Sequence, residues 1–241
     1  MKPLKIARFG DSGILLTWKE EISLQIHRAV MQTDEFIKSH FESAVLETIP
    51  SYCSLAVYLN SKVNPEVMIK ELNQMTWFLP QTTQRATHKI VLPVCYETPY
   101  ACDIGAVAAY HNLTVNEVVL LHTAPTYHVY FIGFLPGFPY LGGLSKQLYT
   151  PRKETPKTQI EAGAVGIGGM QTGIYPNVSP GGWHIIGQTP IPLFDVSKNP
   201  PALLSAGDVV RFKAINLKTF HNIKEELAVG TYQIEREVCH A

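Results

Sequence analysis

Residues 168–189 read GGMQTGIYPNVSPGGWHIIGQT, with six glycines and two prolines in 22 positions. An ordered glycine forfeits about 0.5–1 kcal/mol of chain entropy relative to alanine, so the six together cost about 3–6 kcal/mol. A domain is stable by only about 5–15 kcal/mol, so some geometry in this stretch must require bare backbone. Short strands joined by Gly/Pro turns fit such a texture, and no helical period follows it.

Three chemistries use glycine-rich backbone of this kind. A phosphate loop matches the spacing of Gly168 and Gly173, but Ile174 and Tyr175 stand where Lys and Ser/Thr belong. A dinucleotide fingerprint framed on Gly166 and Gly168 reaches Gln171 where its third glycine belongs. A serine hydrolase would draw on Ser179, His184 and Asp195. There Asn177 replaces the first glycine of the elbow, and Pro180 removes the backbone N–H that helps hold an oxyanion. A binding surface remains, with Gln171, Tyr175, Ser179 and Trp183 on one wall and Phe134, Phe138 and Tyr140 of FLPGFPYLGG on a second. The alternative is that these aromatics fill a barrel and the glycines only turn its corners. Arg152 and Lys153 are either anchors for a carboxylate or phosphate, or solvated charges.

The rest of the chain divides in texture. LKIARF and ILLTW read as strands around GDSG, and Ile22, Ile26, Ala29, Val30, Phe36, Ile37 and Phe41 then share a helical face. Strands follow at 44–49 and 54–59, and Asn64 with Pro65 opens a helix running to about Trp77. The order ββαββα predicts an α+β sandwich over residues 1–84, with both helices on one face of an antiparallel sheet. The polar stretch PQTTQRAT marks the boundary with a second domain, 85–241. In that domain Asp103 is expected to cap a short helix, and Thr114 with Glu117 forms a capping box. Many short strands come next, the pattern of a closed barrel or a sandwich. A terminal helix is expected over 220–228 and a last strand over 232–236.

Twenty basic residues balance twenty acidic ones, so electrostatic capture of nucleic acid is not expected. No apolar stretch approaches the roughly 20 residues of a membrane span, and no secretory signal opens the chain, which points to the cytoplasm. Cys53, Cys95, Cys102 and Cys239 show no CxxC spacing and read as buried reduced thiols, and the nine histidines suggest no metal site.

The segments HTAPTYHVYFIGFLPGFPYLGGL, TPRKETPKTQIEAGAVGIGGMQTGIYPNVSPGGWHIIGQTPIPLFD and PPALLSAGDVVRF occur in an order that resembles the allophanate hydrolase subunit 1 family. This carboxyltransferase C/D family includes the bacterial 5-oxoprolinase component PxpB and the KipI kinase inhibitor. ARFGDSGILLTW and IPSYCSLAVYL extend the resemblance over nearly the whole chain. It departs where a glycine replaces alanine in G-I-A-G-x-Q-T-G and at Glu161 and His184, which stand in place of Pro and of Arg or another polar residue.

The resemblance implies an α+β N-terminal domain followed by a mainly-β cyclophilin-like barrel. It implies a subunit of an ATP-dependent hydrolase that converts 5-oxoproline (pyroglutamate) to glutamate with PxpA-like and PxpC-like subunits, Mg²⁺ accompanying the ATP. Two alternatives come with it: inhibition of a sensor histidine kinase, and half of a biotin-dependent carboxyltransferase or amidolyase acting on urea-like substrates. The motif positions are Pro136, Gly137, Phe138, Pro139 and Tyr140, then Thr150, Pro151 and Arg152. Gln171, Thr172, Gly173, Tyr175 and Pro176 follow, and Ser179, Pro180, Gly181, Gly182 and Trp183 complete them. Arg152, Gln171 and Tyr175 are the expected catalytic residues. Phe134, Pro136, Gly137, Phe138, Tyr140, Ser179, Pro180, Gly181, Gly182 and Trp183 are expected to bind substrate or form an interface.

Overall fold

The computed structural model describes residues 1–75 and 87–239. The chain forms two compact units, Met1–Arg85 and Ala86–Ala241. Trp77 and nearly all of PQTTQRAT lie outside the described residues. Among the described residues no single helix is long and apolar enough to cross a membrane.

The first unit contains β1 (Lys5–Phe9), β2 (Gly13–Thr17), α1 (Leu24–His40), β3 (Val45–Pro50), β4 (Ser54–Leu59) and α2 (Pro65–Gln74). The strands form one antiparallel sheet in the order β1-β2-β4-β3. Alternation along β2 and β4 turns Ile14, Leu16, Leu55, Val57 and Leu59 to one face. Ile26, Val30 and Ile37 of α1 and Met68 and Leu72 of α2 join them in a single core. The Asn64 side chain accepts the Glu66 N–H at 2.9 Å, and Pro65 occupies the first helical position, as their order in the sequence predicts. Ile22 falls before α1 and is exposed.

The second unit begins with β5 (Thr87–Cys95), α3 (Ile104–Tyr110), α4 (Val115–Thr123), β6 (Tyr127–Ile132) and β7 (Pro139–Gly142). It continues with β8 (Lys157–Ile160), β9 (Ala164–Gly168), β10 (Gln171–Ile174), β11 (Ser179–Gly181) and β12 (His184–Gln188). The last elements are β13 (Val209–Ile215), α5 (Leu217–Ala228) and β14 (Arg236–Cys239). Seven strands close a mixed barrel in the order β12-β9-β10-β7-β6-β13-β5. The closing contact is short, Gln188 of β12 against Cys95 of β5, because β14 occupies the same edge of β5 from Thr87 to Ile90. β13 and β5 run parallel over seven residue pairs. Asp208 pins the start of that pairing by accepting the His88 N–H at 3.0 Å and the Ser205 N–H at 2.8 Å.

The barrel core contains Leu92, Val94, Val129, Leu141, Val165, Ile167, Ile174 and Phe212, with Val107 of α3 and Val118 of α4. Among them is fully buried His122, stacked on Phe212 at 4.7 Å. The Thr172 hydroxyl donates to the Gly166 carbonyl at 2.9 Å, so at 2.9 Å from His122 Nε2 it acts as acceptor. His122 Nδ1 is left to accept the Tyr96 hydroxyl at 2.8 Å, which defines a neutral ring protonated at Nε2. Burial lowers its pKa to about 3.

Three expectations need correction. The terminal helix starts at Leu217, because the Asn216 side chain accepts the Thr219 N–H at 2.8 Å and sets the cap earlier. The last strand spans Arg236–Cys239, where it finds the free edge of β5. Of the thiols, Cys95 is buried and Cys53 half-buried, but Cys102 is exposed. The Thr114/Glu117 capping box forms as expected.

Candidate functional site

The glycine-rich stretch lies on the outer face of the barrel. Along β9 and β10, Val165, Ile167, Thr172 and Ile174 point into the core, so Gly166, Gly168, Gln171 and Gly173 face outward. This leaves nearly bare backbone on which aromatic rings lie. A Cβ on Gly168 would meet the Trp183 indole at 2.4 Å, and one on Gly173 would meet Phe138 and Trp183 at 3.0 Å. Phe138, Tyr175 and Trp183, with Ile160, Ala164 and Ile185, make a second core distinct from the barrel interior. Phe138 meets Tyr175 and Trp183 edge to face at 5.3 and 5.6 Å.

A two-stranded flap of β8 and β11 contributes Ile160 to this core. Ser179 pairs with Ile160 across the flap and is 7% exposed, and its hydroxyl has no partner among the described residues. A Cβ on Gly181 would lie 2.4 Å from the Tyr175 hydroxyl, whereas one on Gly182 would make ordinary contacts at 3.7 Å. The aromatics therefore neither fill the barrel nor line an open cleft. They pack a layer onto its outside, and of the six glycines in the stretch only Gly169 has a positive φ.

Arg152 is exposed at the rim of this layer. Its Cζ lies 5.9 Å from the Trp183 ring centroid, a cation–π arrangement. Burial raises the pKa of Tyr140 and lifts that of Tyr175 to about 12, while the Arg152 guanidinium acts on both in the opposite direction. Both phenols are protonated donors at neutral pH. Arg152 has no carboxylate partner among the described residues. The structure thus brings Arg152, Tyr140, Tyr175 and Trp183 together, and Gln171 shares their face of the barrel, opposite Gly168.

The other motif residues separate by role. Gly137 has φ +83° and packs where a Cβ would meet Phe194 at 2.8 Å. Phe134 and Pro136 are exposed on the same turn, and Pro180 is exposed on the flap. The serine-hydrolase arrangement does not assemble: His184 Nε2 donates to the Pro151 carbonyl at 3.0 Å, and Asp195 accepts from Ser197 and pairs with Lys198.

Asp103 has a role that its position before a helix does not announce. Its side chain makes no cap hydrogen bond to α3. It reaches β12, where Oδ2 accepts the Ile185 N–H at 2.8 Å and its own N–H donates to the Ile185 carbonyl at 2.8 Å. Asp103 so replaces a strand neighbour beside the short barrel closure. Lys153 donates to Oδ1 at 2.6 Å, and Lys157 donates to Oδ2 at 3.0 Å and to Cys102 Sγ at 2.9 Å. Burial alone would raise the carboxyl pKa, but Lys153, the Ile185 N–H and Lys157 outweigh it and hold the value below the usual range. Lys153 is thereby committed to Asp103 and is not free to anchor an anion.

An α+β unit followed by a closed cyclophilin-like barrel with an aromatic outer layer is a carboxyltransferase-type architecture. The urea amidolyase of Kluyveromyces lactis shares that fold, with a TM-score of 0.82 at 22% identity, over 97% of this chain and 16% of that one. The chain belongs to the family described as carboxyltransferase domain, subdomain C and D, whose model matches residues 4–204. It is 37% identical to the B subunit of 5-oxoprolinase from Bacillus subtilis (strain 168), over 92% of this chain and 97% of that protein. It is 42% identical to the protein of the same name from Escherichia coli O157:H7, over 84% of this chain and 92% of the other.

Proposed function

We propose that this chain is one subunit of a cytoplasmic assembly that uses ATP, accompanied by Mg²⁺, to open the lactam ring of 5-oxoproline and release glutamate. The observation that carries the reading is its 37–42% identity to proteins named as the B subunit of 5-oxoprolinase, over 92–97% of their lengths. PxpC-like and PxpA-like chains are the proposed partners. Amide resonance protects the lactam carbonyl. Transfer of a phosphoryl group from ATP to its oxygen makes the carbon electrophilic, a first water adds, the C–N bond breaks as nitrogen takes a proton and leaves an acyl phosphate, and a second water releases glutamate and phosphate.

Arg152 supports this chemistry as a cation without an ion-pair partner among the described residues, suited to a substrate carboxylate or to charge developing on the carbonyl oxygen. The Ser179 hydroxyl is buried and has no hydrogen-bond partner among the described residues, so no base is positioned to activate it. We assign the general base to a partner subunit. Reconstitution tests the reading: glutamate release from 5-oxoproline and ATP is measured with each subunit omitted in turn. Loss of activity without this chain is the expected result, and activity indifferent to its omission sinks the reading.

A further inference from the structure

Arg152 stands in a segment of irregular backbone, yet the residues on both sides of it are tied down. Thr150 exchanges two backbone hydrogen bonds with Gly169, at 2.7 and 3.1 Å. Its hydroxyl donates to the Leu148 carbonyl at 2.9 Å and so accepts from His111 Nε2 at 3.0 Å. On the far side, the Lys153 N–H donates to the Gly182 carbonyl at 2.8 Å and the Lys153 ammonium to Asp103 at 2.6 Å. Between these ties the segment meets residues 182–184 one for one. Lys153 lies against Gly182, the Arg152 guanidinium 5.9 Å from the Trp183 ring, and Pro151 against His184.

The last of these contacts is made by a side chain. Pro151 has no N–H and can be held only through its carbonyl, which accepts from His184 Nε2 at 3.0 Å. The other ring nitrogen, Nδ1, is buried without a hydrogen-bond partner among the described residues. A buried polar atom left unpaired lowers stability, so stability alone does not account for a histidine here. What the ring does accomplish is to fix the peptide group that leads into Arg152. Trp183 and His184, neighbours in the chain, thus hold the two ends of one arginine, its guanidinium and the backbone from which its side chain departs. A free arginine samples many rotamers, whereas one held at both ends meets an anion already oriented.

We propose that His184 is a positioning residue for Arg152, holding the Pro151 carbonyl so that the guanidinium stands over the indole as a ready site for an anionic oxygen of the substrate. The inference rests on the assignment of Arg152 to substrate made above. Two variants differ in reach: His184→Gln places an amide N–H where Nε2 stood, and His184→Asn places one where Nδ1 stood, short of Pro151. The full chain, in a Trp18→Phe, Trp77→Phe background, is followed through Trp183 emission and through the Arg152 Nε–H resonance, identified by its loss in Arg152→Lys. In the parent and in His184→Gln that resonance should be displaced by the indole ring current. In His184→Asn it should move into the range of exposed arginines, with Trp183 emission unchanged because Phe138 and Tyr175 pack its ring. In the reconstituted assembly, kcat/KM for 5-oxoproline should fall about tenfold or more in His184→Asn and return to within about twofold of the parent in His184→Gln. An Arg152 resonance that is alike in the parent and in His184→Asn overturns the positioning role. So does a shift of Trp183 emission in His184→Asn, which would make the histidine part of the packing of the aromatic layer. A parent assembly that releases no glutamate overturns the functional reading instead, and the resonance then decides the positioning role alone.

Discussion

Asp103 sits where β12 has lost its strand neighbour, so its removal exposes the Ile185 N–H and leaves two half-buried ammonium groups without their carboxylate. Asp103→Ala should cost about 1.5–3 kcal/mol, the range for hydrogen bonds to a charged group, with the exposure of both lysines keeping it from being larger. Urea midpoints check this, and a loss below about 0.5 kcal/mol, the usual surface value, would refute the clamp. His122 makes a prediction in pH. Its folded pKa is about 3 and an unfolded histidine titrates near ~6.5, so its contribution is complete above that value and is lost as pH falls toward 3. His111, lowered by burial too, acts in the same direction. Asp103, lowered in the fold, loses its contribution only as pH falls below the unfolded carboxyl value of ~3.9. His122→Gln should therefore flatten the fall of the urea midpoint between about pH 6.5 and 4.5. Unchanged slopes would reject the assignment. Neither residue's role was legible in the sequence. Asp before a helix reads as a cap, and its partner strand lies 82 positions away. His122 stood out in no way from the nine scattered histidines.

At the scale of elements, the glycine-rich stretch was legible as strands and turns, and its close approaches were not. Periodicity shows alternation but not which face meets an aromatic layer, because that depends on Trp183, Tyr175 and Phe138 folding back onto their own barrel. Arg152, Tyr140, Tyr175 and Trp183 could be named from motif and resemblance, whereas the flap that brings Ile160 to the aromatic layer required the pairing of β8 with β11. The distances now separate two neighbouring glycines. Gly181→Ala drives a methyl against the Tyr175 hydroxyl and Ile160, and should cost about 1–3 kcal/mol, the range for overpacking. Gly173→Ala should behave similarly, since the Pro139 carbonyl lies 2.9 Å from its Cβ position. Gly182→Ala should stay within about 0.5 kcal/mol of the parent. Thermal midpoints of the three variants test the assignment, and equal effects at 181 and 182 would contradict it.

At the scale of the molecule, each unit has its own core and its own buried tryptophan, Trp18 in the first and Trp183 in the second. The ββαββα order of the first unit was readable, because helix and sheet periods are local. The closure of the barrel was not readable, since it joins Cys95 to Gln188 and sets β13 parallel to β5 across a long stretch of intervening chain. A closed sheet with a continuous interior has no need of the first unit to bury its apolar side chains. The fragment 86–241 should therefore fold alone, with a cooperative urea transition and the Trp183 emission of the full chain. In the full chain, His122→Gln should shift the transition seen through Trp183 in a Trp18→Phe, Trp77→Phe background. It should leave the transition seen through Trp18 in a Trp77→Phe, Trp183→Phe background where it was. A fragment that exposes its tryptophan in buffer, or a His122→Gln shift seen equally by both reporters, would show that the units fold as one cooperative body.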